Sequence, residues 1–169
     1  MQHKFTKHNR KSRILMAIGA VVVIFAVYVI GLVAYTLFLR TRYKETVHQI
    51  AVHTTEISPA QMSITFQGET LRASDREINY YLFVFMLSPY TVPYNRAKYP
   101  SNEDTIVLTL GDSELKLTPL PEDDHSRIHV SWQTPEKEIC YSLRSQISFI
   151  QLRNYYTNLQ REQSQEQAD

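Results

Sequence analysis

Residues 128–143 read Ile-His-Val-Ser-Trp-Gln-Thr-Pro-Glu-Lys-Glu-Ile-Cys-Tyr-Ser-Leu, and this stretch decides the architecture. Apolar and polar side chains alternate on both sides of a Thr134-Pro135-Glu136-Lys137 loop. Alternation with a period of two marks a strand with one face buried. Antiparallel pairing about the loop sets Trp132 opposite Ile139, Val130 opposite Tyr141 and Ile128 opposite Leu143. All the apolar side chains then share one sheet face. A register slip of one residue would scatter them.

The same arithmetic holds further upstream. A Gly111-Asp112 turn places Leu108 opposite Leu115 and Ile106 opposite Leu117. A Gly68-Glu69 turn, with Gly first, places Phe66 opposite Leu71 and Ile64 opposite Ala73. Two helices frame the three hairpins. Ser74-Asp75-Arg76-Glu77 is a capping box, followed by Ile78, Tyr81, Leu82, Phe85 and Met86 at helical spacing. The run 80–87 is apolar on all sides, which predicts a buried central helix. A terminal helix starts near Arg144 or Ser145 and carries Phe149, Leu152, Tyr156 and Leu159 on one stripe. The expected fold is α+β: a small antiparallel-sheet domain of order ββαββββα behind one transmembrane helix.

That helix is the run 14–39, which holds no charge, Pro, Asn or Gln. As a helix it measures about 39 Å, against a hydrocarbon core of about 30 Å. It is too long for the apolar region of a cleaved signal peptide, and no small-residue cleavage site precedes Arg40. It reads as an uncleaved signal anchor. Tyr28 and Tyr35 share one helical face, and Ala20, Val27 and Ala34 form a small-residue stripe, but no Gly-x-x-x-Gly motif occurs. The chain divides into a basic cytoplasmic N-terminus (1–13), the span (14–39), a juxtamembrane connector (40–58), an extracytoplasmic domain (59–160) and a disordered polar tail (161–169). Five Lys or Arg precede the span and three follow it closely, which favours a cytoplasmic N-terminus at the cell membrane.

Charge is divided as sharply as hydropathy. Residues 1–44 carry eight Lys or Arg and no acid, whereas residues 45–169 carry ten against seventeen Asp or Glu, a net of −7. An acidic domain disfavours a nucleic-acid partner. Cys140 is the single cysteine, so no disulfide closes within the chain. No Asn-x-Ser/Thr sequon occurs. The pattern of residues 62–159 resembles uncharacterised small extracytoplasmic-domain membrane proteins of Gram-positive bacteria. There, too, a hairpin, a helix and further hairpins precede a terminal helix. The resemblance brings no diagnostic motif and no site residues.

Little in the chain points to catalysis. Of four glycines, two lie in the span and two in turns, so none remains for a phosphate loop. Glu122-Asp123-Asp124-His125 with His129 is the densest ligand cluster, and it reads as a solvated acidic turn, with His129 on an exposed strand face. His48 and His53 read as solvated connector residues. Cys140 alternates out of phase with Ile139 and Tyr141, which places it on the opposite sheet face without an activating neighbour. No cofactor or metal is expected, and the chain reads as non-enzymatic. The segment 88–103 is the outstanding feature, a long loop with Pro89, Pro93 and Pro100. Its Tyr90, Tyr94, Arg96, Lys98 and Tyr99 offer amphipathic rings and cations suited to a membrane or envelope protein partner. A ligand pocket between the central helix and the sheet is the alternative reading. A reporter active only in the cytoplasm, fused after Asp169, is expected to be silent; activity there reverses the topology.

Overall fold

The computed structural model describes residues 3–73, 78, 81, 86, 88, 91–120, 127–144 and 146–166. The chain forms two units, Met1–Phe38 and Leu39–Asp169. Helix α1 spans His3–Glu56 and contributes to both. In the first unit every side chain described from Arg13 to Phe38 is exposed, and nearly all are apolar. Among the described residues α1 is the one helix long and apolar enough to cross a membrane. Exposure of this length of apolar surface is consistent with a membrane anchor.

The second unit is α+β: a seven-stranded antiparallel sheet with helices on one face. Its strands are β1 (Met62–Phe66), β2 (Glu69–Arg72), β3 (Val92–Asn95), β4 (Ile106–Leu110), β5 (Ser113–Pro119), β6 (Arg127–Gln133) and β7 (Glu138–Arg144). They lie in the order β2-β1-β4-β5-β6-β7-β3. Helix α2 spans Gln146–Glu166. Its Phe149, Leu152, Tyr156 and Leu159 are buried, as their spacing predicts.

Two hairpins keep the expected register. Leu108 faces Leu115 across β4–β5, and Trp132, Val130 and Ile128 face Ile139, Tyr141 and Leu143 across β6–β7. The first hairpin differs by two residues. Ile64 pairs with Leu71 and Phe66 with Glu69, so the turn is Gln67-Gly68. Both turn residues have positive φ, 51° and 83°, which matches the twist of a two-residue hairpin. A glutamine in the left-handed region is uncommon, so the sequence pattern favoured starting the turn at the glycine.

The sequence reads the segment 40–58 as a juxtamembrane connector in which Thr41 to Thr55 can extend the helix as far as Ser58-Pro59, and it does so while packing into the folded unit. α1 continues through it, and Leu39, Tyr43, Val47, Ile50, Ala51 and Thr54 are buried at helical spacing. Burial of Leu39, Val47 and Ile50 contributes about 1.5–3 kcal/mol each. Thr54 buries its hydroxyl by returning it to the Ile50 carbonyl at 2.7 Å. Thr46 bonds the Arg42 carbonyl at 2.9 Å and also meets the Tyr141 hydroxyl at 3.2 Å. The stripe mixes Tyr and Thr with aliphatics, so counting aliphatic side chains alone hides it. Val52, between buried Ala51 and buried Thr54, is 43% exposed. The helix ends ahead of Ser58, whose extended backbone (ψ 137°) suits the residue before Pro59.

Three more expectations change. The loop 88–103 contains strand β3, which pairs with β7 and is bulged between Pro93 and Asn95. A short strand with a proline belongs at a sheet edge, where the missing N–H costs no ladder bond. The terminal helix continues to Glu166, beyond the expected end of order. There Gln160 donates to Glu69 at 2.8 Å and Gln163 donates to the Arg72 carbonyl at 3.1 Å. The Ser74–Glu77 capping box lies outside the described residues, as does most of the central helix. Ile78 and Tyr81 are helical, and both are buried with Met86.

Truncation of Ile50 to Ala is expected to cost about 2–5 kcal/mol, because it opens a cavity in a core position. Val52→Ala, two residues on, should stay within about 0.5 kcal/mol. Denaturant unfolding of both variants checks this, and equal, small effects would deny residues 39–56 a place in the core.

Candidate functional site

The sheet has a core face under the helices and a second, polar face. Over β5, β6 and β7 that second face is also buried: Thr118, His129, Ser131, Cys140 and Ser142 are each under 9% exposed. The cover is the chain from Lys98 to Thr105. At its far end Thr105 shares a hydroxyl contact with Thr118 at 3.0 Å, and Asn102 donates to the Pro119 carbonyl at 3.1 Å. Asn102 also accepts from the Asp104 amide at 3.1 Å, which closes an Asx turn. At its near end Lys98 forms an ion pair with Glu138 on β7. Tyr99 sits edge-on to His129, ring centroids 5.2 Å apart, and its amide points at His129 Nε2 at 3.4 Å.

The predicted interaction residues therefore form an ordered rim along β3 and β7. Tyr94 on β3 receives the Arg144 guanidinium 5.8 Å from its ring centre. Arg96 lies 5.5 Å over the ring of Tyr141, which also meets Tyr43 and Thr46 of α1. Lys98 and Tyr99 are held as described, and Tyr99 keeps 40% of its surface in solvent. Tyr90 lies outside the described residues. Arg96 and Lys98 are exposed although their partners are placed. Such a surface presents rings and cations without first having to order a loop.

Beneath the rim lies a polar group that sequence pattern did not assemble. Ser131 donates to Glu138 at 3.0 Å, and the Cys140 thiol approaches the same carboxylate at 3.6 Å. The Lys98 ammonium and the Ser131 hydroxyl hold the Glu138 carboxyl below its usual range. Burial pushes the Cys140 thiol up, which leaves it protonated and a poor nucleophile. His129, expected on an exposed face, is 2% exposed because Tyr99 and its neighbours cover it. Burial lowers its pKa, with the Glu138 charge opposing. With Nε2 accepting the Tyr99 amide, Nδ1 carries the proton of the neutral ring. The legible signal was alternation: His129, Ser131, Glu138, Cys140 and Ser142 all fall on one face. That a loop 30 residues away in sequence from His129 would cover them was not legible.

Among the described residues no three His, Cys, Asp or Glu side chains converge as metal ligands. Asp124 and His125 of the acidic turn lie outside the described residues. His53, expected in solvent, is half-buried, 3.6 Å from Asp112 and 6.5 Å from the Trp132 ring centre. His48 is exposed.

His129 makes stability depend on pH. Its folded pKa lies below the unfolded value of about 6.5. The unfolded chain therefore takes up this proton first, and stability falls as pH drops through about 6.5 towards the folded value. Above that window the contribution is complete. Thermal melts from about pH 7.5 to about pH 5.5 should show a smaller fall for His129→Gln than for the parent; an identical fall in both would exclude His129 as a source.

No protein-family model, no curated protein and no solved structure matches this chain, so the reading of its function rests on its own residues.

Proposed function

We propose that the chain is a single-pass, non-enzymatic membrane protein whose domain binds another envelope protein as an accessory or regulatory subunit. The N-terminus is cytoplasmic in this reading and the domain extracytoplasmic. One observation supports it above the others: Tyr94, Arg96, Lys98 and Tyr99 stand on a pinned rim, with their exposed surface beside an edge strand. Tyrosine and arginine are the residue types that anchor protein interfaces, and a pre-ordered rim lowers the entropic cost of association. An acidic domain with a local cationic edge also favours a partner that presents carboxylates there.

Ligand binding is the second reading. Open clefts of about 440 Å³ and about 550 Å³ flank the Gln67-Gly68 turn, on either side of the first hairpin. In this reading the ligand would sit at the first hairpin, whereas the pocket expected between the central helix and the sheet falls mostly outside the described residues.

The test is co-purification of the full-length protein after crosslinking in its native membrane. A stoichiometric membrane protein should be recovered, and it should be lost from Tyr90→Ala/Tyr94→Ala/Arg96→Ala with the melting temperature of the domain preserved. Recovery of the protein alone, under conditions that hold other membrane complexes together, would overturn the subunit reading.

A further inference from the structure

We propose that the cleft between the β1–β2 hairpin and α2 binds a small zwitterion of the α-amino-acid class. The cleft, of about 440 Å³, is lined by Phe66, Glu69, Asp104, Arg153, Tyr156 and Gln160 among others. It is separate from the rim along β3 and β7, so its failure leaves partner binding untouched.

Two aromatic rings form part of the floor. Phe66 and Tyr156 meet edge to face, with ring centroids 5.5 Å apart and planes at 75°. Tyr156 is 4% exposed and is set by the core stripe of α2. Above this floor the charges are arranged unusually. Glu69 is held in place, since its Oε2 accepts from Gln160 at 2.8 Å. Burial, and after it the Glu69 charge, push the Tyr156 phenol up from its ordinary pKa. Asp104 is placed by the Asx turn at Asn102. Arg153 projects from the exposed flank of α2. Yet among the described residues none of the ion pairs involves Glu69, Asp104 or Arg153. A guanidinium and two carboxylates line one cleft without neutralising each other.

That arrangement matches a ligand carrying both signs. A guanidinium presents a planar fork that fits a carboxylate. Two carboxylates favour an ammonium through ion pairing. The cleft's formal charge is −1, so a ligand with a carboxylate alone is disfavoured. A ligand with an ammonium alone leaves Arg153 unpaired. The volume is within the range of small-molecule sites, about 300–1,000 Å³. A divalent cation fits poorly, because among the described residues no three acidic or imidazole ligands converge.

The experiment titrates full-length protein in lipid nanodiscs with L-phenylalanine and L-leucine, followed by calorimetry or by amide shifts of residues around the cleft. Saturable binding is expected. N-acetyl-phenylalanine and phenylalaninamide should each bind at least about tenfold more weakly than phenylalanine. In Arg153→Gln the acid and the amide should bind alike; in Asp104→Asn the gap between amine and N-acetyl compound should shrink. Both positions are at the surface, and melting curves confirm that the variants fold. Three results would overturn the proposal: no saturation by either amino acid up to about 10 mM, equal binding of phenylalanine and its amide to the parent, or binding unaffected by both substitutions.

Discussion

Everything in the folded unit depends on the burial of one helical stripe against one sheet face. Tyr43, Val47, Ile50 and Thr54 of α1 supply the stripe, and Trp132, Tyr141 and Leu143 are among the buried residues of the face. The contact at Tyr141 shows how closely the two are matched. Its ring meets Tyr43 at 5.3 Å, with planes at 73°, and its hydroxyl meets Thr46. No disulfide is available, so this apolar surface and the stripe of α2 must offset the ordering entropy of the chain. The second sheet face cannot share the load in the same way. It is buried through polar contacts, which contribute less per group and leave His129 Nδ1 and Ser142 Oγ without hydrogen bonds among the described residues.

How much of this was legible follows from how local each signal is. The registers of β4–β5 and β6–β7 were readable because glycine or proline marked the turn and alternation did the rest. The β1–β2 register was not, because Gln67 takes a backbone conformation that its side chain disfavours. A helix after the span could be read from the sequence, but its burial was hidden by its composition. Tyrosine and threonine at 43, 46 and 54 read as polar until a sheet is present to receive them. Strand β3 was hidden by Pro93, which forbids a central strand but not an edge.

The candidate rim divides along the same line. Its residues stood out in the sequence as tyrosines and cations among prolines. Their partners did not, because Glu138 and His129 are distant in the chain and each looked like an ordinary exposed strand residue. The cleft at the first hairpin was invisible for a stronger reason. Phe66, Asp104 and Arg153 come from a hairpin, a loop and a helix, and no spacing rule connects them.

The two edges of the sheet are both blunted. At β3 a proline and a bulge interrupt the free backbone, and at β2 the side chain of Gln163 occupies the Arg72 carbonyl. Open strand edges template the addition of further strands. For a domain tethered to a surface, that risk grows, because neighbouring copies diffuse in two dimensions at high effective concentration. Crowding on a bilayer would turn an open seven-stranded sheet into a seed for ribbon-like polymers. The blocked edges deny a neighbouring copy that template.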